Sequence, residues 1–444
     1  MPMGFTSREE VIEFVRSNHV DIVNLWFTDI LGRLKSLGIT RDELETAIHE
    51  GAGFDGSSVE GFVRIYESDL VALPDPTTFT ILPAKSDGRV MGVMICDTMN
   101  SDGTHYEGDP RHILRRTLAR AEEKGWAFKV GPELEYFYFK DSNAPGTLDV
   151  AGYFDVVPDD VGAEIRNKTI LALRSMGIAV ECGHHEVAPS QHEIDLKYCD
   201  ALRMADNTLL YRYVVKEIAK EHGVYATFMP KPMAGQNGSG MHVHQSLFAD
   251  ERNAFFDPNG PFHLSSVGLG FLAGLLVHCK ELVSITNQWV NSYKRLVPGF
   301  EAPAYISWGQ RNRSALVRVP MYKPGRETST RLEFRCPDPA CNPYLAFAVM
   351  LAAGLKGIEG GYEPPSPIED DIYCMSGDER ARNGIECLPD SLYAAIQETE
   401  QSDLVKETLG KGVFRKYLDN KKVEWDTYCV QVTDYELQKY LPVL

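Results

Sequence analysis

The chain has 444 residues, of which 43% are hydrophobic and 24% are charged, and its formal net charge is −18 at pH 7. This composition is ordinary for a globular protein with a substantial core, and the length suffices for one large or two to three ordinary domains. The excess of negative charge repels a phosphate backbone, so we expect no nucleic-acid partner. The nine cysteines form no CxxC pair, which predicts a reducing compartment and argues against a thiolate metal site.

The N-terminal sequence, MPMGFTSREE, has no basic apolar leader, so we expect no signal peptide. The longest apolar stretches, Val267–Val277 and Tyr344–Leu355, are shorter than the ~20 residues that a membrane span requires. We therefore expect a cytoplasmic protein with no membrane partner.

The first hundred residues have mainly strand-like patterns. A capping box at Ser7–Glu10 predicts a helix, and Val20–Lys35 alternates as two strands around a turn. Val90–Asp97 is another apolar strand. A polar, turn-rich segment follows, and we place a domain boundary in it between residues 104 and 105.

The remainder mixes helices and strands. Helices are predicted between Pro110 and Gly125, and from Pro343 to about Gly357. The predicted fold class is α+β or α/β, with a small β-rich N-terminal domain (1–104) and a larger mixed domain (105–444).

Glu133 and Glu135 are two residues apart in the apolar segment Lys129–Phe139, so a strand would place both on one face. Two like charges 4 Å apart in a partly buried setting repel by roughly 4 kcal/mol at an effective dielectric of about 20. We therefore expect a cation between them. The alternative is an exposed strand face on which both glutamates are solvated.

A second acidic segment, Glu181–Asp195, is dense in glutamate and histidine. Its candidate residues are Glu181, His184, His185, Glu186, His192 and Glu193. Hard oxygen ligands favour Mg²⁺ or Mn²⁺, and the chain has neither an HExxH motif nor a cysteine partner for zinc. The histidines are alternatively ordinary packed or hydrogen-bonded residues.

A glycine-rich turn, Asn237–Gly240, precedes a strand on which His242, His244 and Ser246 share one face. Glycines allow the backbone to approach a ligand closely. The turn and this polar face together indicate a nucleotide site.

Arg331, Glu333 and Arg335 alternate in the same way. They form either a structural ion-pair ladder or a metal ligand between two phosphate-binding arginines. Further arginines lie upstream at Arg311, Arg313 and Arg318. A basic cluster in an acidic chain favours a polyanionic ligand such as ATP.

Seven motifs in these segments resemble, in the same order, the signatures of type I glutamine synthetases. They are FDGSS (Phe54–Ser58), GPELE (Gly131–Glu135), HHEVAPSQHE (His184–Glu193), KPxxGxNGSGMHxHxS (Lys231–Ser246), NSYKRLVPGFEAP (Asn291–Pro303), RNRS (Arg311–Ser314) and RLEFRCPDPACNPYLAF (Arg331–Phe347). They span most of the chain, which favours membership of that family over a distant fold relationship.

The resemblance implies two metal sites, for Mg²⁺ or Mn²⁺. One would be held by Glu135, Glu186 and Glu193, and the other by Glu133, His242 and Glu333. These are the residues whose spacing already indicates a cation.

The resemblance also implies three substrate sites. Glutamate would be bound by Asn237, Gly238, Arg295, Glu301, Arg313 and Arg335. ATP would be bound by Glu181, His244, Ser246, Arg313, Arg318 and Arg331. Ammonium would be deprotonated near Asp55, from a neighbouring subunit, and near Glu301, on a flap; Asp55, Glu301, Arg313 and Arg335 would be the catalytic residues.

The implied reaction begins with attack of the glutamate side-chain carboxylate on ATP, which forms γ-glutamyl phosphate. Ammonia then displaces phosphate to give glutamine. The implied fold is a β-grasp-like N-terminal domain followed by a catalytic domain with a curved antiparallel sheet flanked by helices. The implied assembly is a dodecamer of two hexameric rings, with active sites between subunits.

Regulation is also implied. Arg64 matches a position linked to feedback inhibition by glutamine in the shorter subclass, and small regulatory proteins are further candidate partners. Tyr373 stands where another subclass is adenylylated, but its surroundings, Asp371–Met375, differ, so we expect no adenylylation.

Three alternatives stay open. A ligase of the same fold could act on another amine, although the presence of both Asp55 and Glu301 favours ammonia. A non-catalytic member would lack metal ligands, whereas all six are present. A generic acidic metal-binding protein would have arginine clusters that are only structural.

Overall fold

A computed structural model describes residues 4–59, 69–83, 88–157 and 160–444. The first part of the chain forms a sheet with two helices. Its strands are β1 (Ile22–Thr28), β2 (Leu34–Thr40), β3 (Ala52–Asp55), β4 (Asp69–Pro74), β5 (Thr80–Ile81) and β6 (Met91–Asn100). Their order is β2-β1-β6-β4-β3, with β5 beside β6, and β1 runs parallel to β6.

The two N-terminal helices are α1 (Arg8–Ser17) and α2 (Leu44–Glu50). The predicted capping box of α1 is confirmed, because the Ser7 hydroxyl accepts from the Glu10 amide and the Glu10 carboxylate accepts from the Ser7 amide. Apolar residues of both helices share one core with β1, β4 and β6.

A second, larger sheet occupies the rest of the chain. Its strands are β7 (Ala127–Phe139), β8 (Val180–His185), β9 (Gln191–Leu196), β10 (Cys199–Asp200), β11 (Tyr225–Thr227), β12 (Met241–Ala249), β13 (Arg252–Asn253), β14 (Trp308–Gly309), β15 (Val317–Arg318) and β16 (Leu332–Phe334). The central order is β14-β15-β16-β12-β7-β9-β8. All described pairs in this sheet are antiparallel except β14–β15.

Helices accompany the large sheet and complete the chain. They are α3 (Pro110–Glu122), α4 (Val161–Ser175), α5 (Ala201–Glu221), α6 (Ser266–Thr286), α7 (Ser292–Arg295), α8 (Pro343–Glu359), α9 (Gly377–Arg382), α10 (Leu392–Glu400), α11 (Asp403–Leu409), α12 (Lys411–Cys429) and α13 (Asp434–Tyr440). The predicted helices at 110–125 and 343–357 are α3 and α8. Segregated helices and a largely antiparallel sheet make the fold α+β, which resolves the choice left open by the sequence.

Helix α6 corrects one expectation from the sequence. Its 21 residues are long and apolar enough to cross a membrane by length and composition, and 72% of its most apolar window is buried inside the protein. The helix continues through polar residues beyond Val277, which is why the apolar stretch alone underestimates its length. Because α6 packs against α8 within the main core, it is a core helix.

Candidate active site

The register of the large sheet brings together side chains from distant parts of the sequence. Strand β7 lies between β12 and β9, with Glu133 opposite His242 and Glu135 opposite Glu193. Strand β16 pairs with the other side of β12 and places Glu333 opposite His244. Five of the six predicted metal-site residues therefore meet across four neighbouring strands, and the sixth, Glu186, lies in the turn between β8 and β9.

The first group is Glu133, His242 and Glu333, whose candidate ligand atoms all lie within 4.8 Å of one another. His242 Nδ1 lies 3.3 Å from Glu133 Oε2 and 3.7 Å from Glu333 Oε1. Burial, reinforced by Arg335, lowers the pKa of His242 to about 4. The imidazole is therefore neutral near pH 7, which is the form that ligates metals.

Glu333 is fully buried and pairs with two arginines. Arg335 Nη1 donates to Glu333 Oε1 at 2.6 Å, and Arg318 Nε contacts the other oxygen. Burial opposes ionisation of Glu333, but Arg335 and the nearby imidazoles outweigh it and hold the pKa at about 2. The ion-pair alternative from the sequence is thus correct for Glu333 and Arg335, although the same carboxylate also belongs to the first metal-site group.

Arg331 does not join that ion pair. Its Nε donates to His244 Nδ1 at 3.1 Å, so His244 carries its proton on Nε2 and donates it to Glu133 Oε1 at 2.6 Å. Glu133 therefore lies between two imidazoles, at the junction of the polar faces of β7 and β12.

The second group, Glu135, Glu186 and Glu193, is crowded with negative charge. Burial raises the pKa of Glu135 to about 7, and burial together with Glu135 raises that of Glu186 to about 9. Burial, Asp195 and Glu135 also raise the pKa of Glu193. Arg295 and Arg335 oppose the shift at Glu135 but do not cancel it, so this cluster of buried carboxylates fits a hard divalent cation with oxygen ligands.

Asp195 is an additional residue of this group that the sequence did not assign. Its carboxylate lies within 4.8 Å of donor atoms of His184 and Glu193. The available signal is its position two residues after Glu193, which places both on one face of β9.

The histidines of the second acidic segment have different roles. His184 lies 3.4 Å from Glu186 and from Glu193, so it belongs to the site. His185 instead pairs with Asp149 at 3.1 Å, and the buried His192 lies 2.7 Å from Arg166. These two therefore belong to neither predicted metal-site group, although their ring nitrogens and a carboxylate oxygen of Asp149 lie within 4.8 Å of one another.

A cavity of about 510 Å³ contains both groups. All of the predicted glutamate-binding residues line it: Asn237, Gly238, Arg295, Glu301, Arg313 and Arg335. Arg295 is buried and donates to the main-chain oxygens of Arg335 and Cys336, which fixes its guanidinium at the cavity wall. A Cβ at Gly238 would lie 2.3 Å from the main-chain oxygen of Pro230, so this turn requires glycine there.

A second cavity of about 190 Å³ shares Glu133 with the first. Four predicted nucleotide-binding residues line it: Glu181, His244, Ser246 and Arg331. The other two, Arg313 and Arg318, line the first cavity. The predicted nucleotide set therefore extends across Glu133 from one cavity to the other.

Lys129 and Tyr198 also line the second cavity and were not assigned from the sequence. Both contact Phe248, with Lys129 Nζ 4.4 Å from its ring centre and the Tyr198 ring stacked at 6.2 Å. Each is a single residue outside a recognisable motif, so the sequence offered no signal for them.

Asp55 is the described residue of the predicted site that lies elsewhere. The Asp55 carboxylate accepts from the Ser57 amide at 2.9 Å and is not among the described residues lining either cavity. The expectation that Asp55 serves a neighbouring subunit stays a prediction. Arg64 lies outside the described residues.

Comparisons with known proteins match both parts of the chain. The model for "Glutamine synthetase, beta-Grasp domain" matches residues 19–101, and that for "Glutamine synthetase, catalytic domain" matches residues 107–440. The chain belongs to the glutamine synthetase family. The predicted β-grasp-like domain is confirmed by the same match.

Relatives and solved structures agree with this family assignment. The chain is 51% identical over 440 residues to glutamine synthetase of Mycolicibacterium smegmatis, covering 98% of this chain and 99% of the relative. It is 48% identical over 443 residues to that of Methanosarcina mazei, covering 99% and 98%. A cryo-EM structure of Plasmodium falciparum glutamine synthetase matches with a TM-score of 0.90 at 27% identity over 99% of each chain.

A structure described as "GmaS/ADP complex-Conformation 1" matches with a TM-score of 0.88 at 31% identity, covering 97% of this chain and 99% of that one. Glutamine synthetases act on glutamate, ammonia and ATP and use divalent metals. The two cavities share Glu133 in their linings, so the predicted metal, glutamate and nucleotide residues lie next to one another.

Proposed function

We propose that this chain is a glutamate–ammonia ligase, which joins ammonia to the side-chain carboxylate of L-glutamate with ATP through γ-glutamyl phosphate, giving L-glutamine, ADP and phosphate. One observation carries the proposal: a cavity lined by both metal-site groups and by arginines shares Glu133 and Asp195 with a second cavity, which is lined by four residues of the predicted nucleotide set. Phosphoryl transfer requires this kind of positioning and charge compensation.

The cations proposed here are Mg²⁺ or Mn²⁺, held by Glu135, Glu186 and Glu193 and by Glu133, His242 and Glu333. When bound, they supply Lewis-acid stabilisation of charge on phosphate oxygens. The oxygen-rich ligands and the neutral His242 support hard divalent ions.

The arginines of the larger cavity have two roles, which are charge compensation and orientation of glutamate. Arg313, Arg318 and Arg335 line the larger cavity, where their charges offset the negative charge that develops on the transferring phosphoryl group. Arg295, together with Asn237 and Gly238, orients glutamate beside them.

Ammonium is proposed to lose its proton near Glu301 and near Asp55 of the partner subunit. Glu301 lines the cavity, and its carboxylate accepts from Asn237 Nδ2 at 3.1 Å. A carboxylate at this point favours the cation before deprotonation, and the flap that carries it would keep bulk water away from the acyl phosphate.

The decisive assay measures glutamine and γ-glutamyl hydroxamate formation with ATP and Mg²⁺ or Mn²⁺. We expect glutamine from ammonium, and near-complete loss of activity in Glu135→Ala. A matched control is Glu13→Ala, because Glu13 is exposed on α1 and remote from the described lining residues. Retained activity in Glu135→Ala would contradict the proposed site.

The same assay separates ammonia from other amines. Ammonium, putrescine and ethanolamine are compared at matched concentrations, and we expect turnover with ammonium to dominate. Faster turnover with an organic amine would overturn the substrate assignment while leaving the ligase chemistry intact.

The assembly is proposed to be a dodecamer of two hexameric rings with active sites between subunits. The C-terminal tail supports self-association, because it exposes Val432 by 70%, Leu441 by 77% and Val443 by 74%. An apolar cavity of about 720 Å³ beside Leu31–Leu34 and Trp289 offers a surface on which such a tail could be buried. Sedimentation-velocity measurement of the oligomer mass tests this assembly.

The shorter, feedback-inhibited and non-adenylylated subclass is also proposed, on the basis of Arg64 and the surroundings of Tyr373. Adding glutamine to the hydroxamate assay should inhibit the enzyme, and Arg64→Ala should relieve that inhibition.

Cytoplasmic location and small regulatory protein partners stay predictions. The division into domains 1–104 and 105–444 is supported by family matches that end at residue 101 and begin at residue 107.

A further inference from the structure

The flap, residues 298–304, is held at three consecutive residues, two by the segment between β11 and β12 and one by Tyr373. The Phe300 ring lies 3.7 Å from Lys231 Nζ, measured to the ring centre. The Glu301 carboxylate accepts from Asn237 Nδ2 at 3.1 Å. The Ala302 carbonyl accepts from the Tyr373 hydroxyl at 2.5 Å.

Glu301 needs such support because its backbone is strained. Its φ of +54° lies in the left-handed region, which residues with a Cβ rarely adopt. A conformation of this kind persists only where neighbouring contacts hold it. The Tyr373 contact acts on the next residue, at the carbonyl of the peptide unit between Ala302 and Pro303, so it restrains the chain immediately after Glu301.

Tyr373 itself is presented by a fixed segment, residues 368–375. Asn312 Nδ2 donates to the main-chain oxygens of Ile368 and Asp370 at 2.9 and 2.8 Å. Ile372 is fully buried and packs with Ala304, the last residue of the flap, and with Tyr305, which follows it. The segment is therefore anchored to residues 304–312, the stretch of chain that directly follows Glu301 and Ala302.

The hydroxyl is suited to donating rather than ionising. Burial raises the pKa of Tyr373 to about 12, so the phenol keeps its proton near neutral pH. The half-buried ring also limits competition from water for the hydrogen bond.

We propose that Tyr373 is a positioning residue for the ligase reaction, whose hydroxyl holds Ala302 and thereby keeps Glu301 over the cavity in which the acyl phosphate forms. This inference rests on the proposed glutamine synthetase function. It assigns Tyr373 a role in catalysis that requires no modification of its side chain. This contact fixes the position of the flap, and that position determines whether ammonia or water attacks the intermediate.

Loss of the contact should allow water to compete with ammonia. Water then attacks the acyl carbon of γ-glutamyl phosphate, the carbon–oxygen bond to phosphate breaks, and phosphate leaves while glutamate is regenerated. The net reaction is hydrolysis of ATP to ADP and phosphate. Phosphate release without ammonium, in the presence of glutamate, therefore reports flap positioning directly.

The test is Tyr373→Phe in the full-length assembled enzyme, with Tyr305→Phe as the matched control. Tyr305 is in the same small cluster, 6.2 Å from Tyr373 between ring centres, and its substitution also removes a single hydroxyl. In Tyr373→Phe we expect glutamate-dependent, ammonium-independent phosphate release to rise about five-fold relative to glutamine formation, the effect of losing one ordinary hydrogen bond. The KM for ATP should stay unchanged in both variants.

Hydrogen exchange provides a second measurement that does not depend on turnover. Amides in residues 299–305 should exchange faster in Tyr373→Phe than in wild type or Tyr305→Phe. Unchanged partitioning between ammonia and water in Tyr373→Phe, or equal effects of the two substitutions, would overturn the inference. Failure of the wild-type enzyme to form glutamine would instead refute the proposed function, so the two failures are distinguishable.

Discussion

The two metal-site groups differ in how their charges are balanced. Glu333 has Arg318 and Arg335 beside it, and Glu133 has His242 and His244. Glu186, by contrast, has a pKa raised by burial and by Glu135, and burial raises the pKa of Glu135 despite the opposing charges of Arg295 and Arg335. The second group should therefore depend more strongly on a cation for its ionised state.

Cation binding to the second group should strengthen as pH rises. Before binding, the pKa of Glu135 is raised to about 7 and that of Glu186 to about 9, so protons occupy these carboxyls near neutral pH. A bound cation must displace them, so the apparent affinity should rise by up to about tenfold per pH unit for each proton released. Calorimetric titration with Mn²⁺ across this pH range, in buffers of different ionisation enthalpy, measures both the affinity and the protons released.

Glu186→Gln is the informative control for this effect. The amide cannot hold the displaced proton, so the variant should bind Mn²⁺ more weakly and release fewer protons than wild type. An affinity that is flat with pH in the wild-type protein would contradict the charge balance described for this group.

At the residue scale, alternation along strands predicted much of the site. The spacing of Glu133 and Glu135 predicted a shared face, and both side chains line one cavity. Their meeting with Glu193 and His242 depends on strand register, and a shift by one residue would turn them to the opposite face. Register is set by long-range packing, which periodicity does not contain; the motif resemblance supplied those pairings instead.

Residues that belong to no periodic sequence pattern cannot be assigned from the sequence, for a related reason. Tyr373 reaches the flap from a segment 71 positions away in the sequence. Its surroundings were interpreted only in terms of adenylylation, since nothing local to Asp371–Met375 indicates a partner. A single hydrogen bond between distant loops leaves no periodic signal.

At the scale of elements, α6 and α8 form the centre of the main core. Their contact depends on glycine, because a Cβ at Gly274 would lie 2.1 Å from the Ala353 oxygen, and one at Gly357 would lie 2.1 Å from the Gly270 oxygen. The sequence predicted α8 from its cap and apolar run. It did not predict this close approach, which joins glycines about eighty positions apart.

Gly274→Ala should destabilise the protein because the backbone of α8 leaves no room for the methyl group. Overpacking of this kind typically costs about 1–3 kcal/mol. Gly412→Ala is the matched control, since Gly412 is exposed in α12 and an added Cβ would meet nothing within 4 Å. Alanine there should be neutral or stabilising by up to about 1 kcal/mol.

Urea unfolding of both variants, at one fixed protein concentration, tests this difference. The concentration is fixed because assembly contributes to apparent stability. A Gly274→Ala midpoint equal to that of wild type would show that α6 and α8 can separate at low cost, against the geometry observed.

At the scale of the whole molecule, one guanidinium joins the small sheet to the catalytic core. Arg111 is the second residue of α3 and is 2% exposed. Its Nε and Nη2 donate to the two carboxylate oxygens of Asp206 on α5, both at 3.0 Å. The same group also contacts Asp75, directly after β4, at 2.8 Å, and Asp97 on β6 at 2.5 Å.

The position of the small sheet bears on function through Asp55, which lies at the end of β3. If Asp55 serves a neighbouring active site, any movement of the small sheet displaces that carboxylate. The Arg111 cluster therefore links the stability of each chain to the geometry of the proposed intersubunit site.

Arg111→Met should leave Asp206, Asp75 and Asp97 without their shared cation. Removing one partner of a buried ion pair costs about 3–5 kcal/mol, because the remaining charge stays buried. Arg115→Met is the matched control: Arg115 is 41% exposed and pairs only with Asp97 among these three, so its loss should cost at most about 1 kcal/mol. Thermal unfolding and oligomer mass, measured together, should show a large loss for Arg111→Met and little change for Arg115→Met, whereas equal effects would mean that the small sheet is held chiefly by apolar contacts.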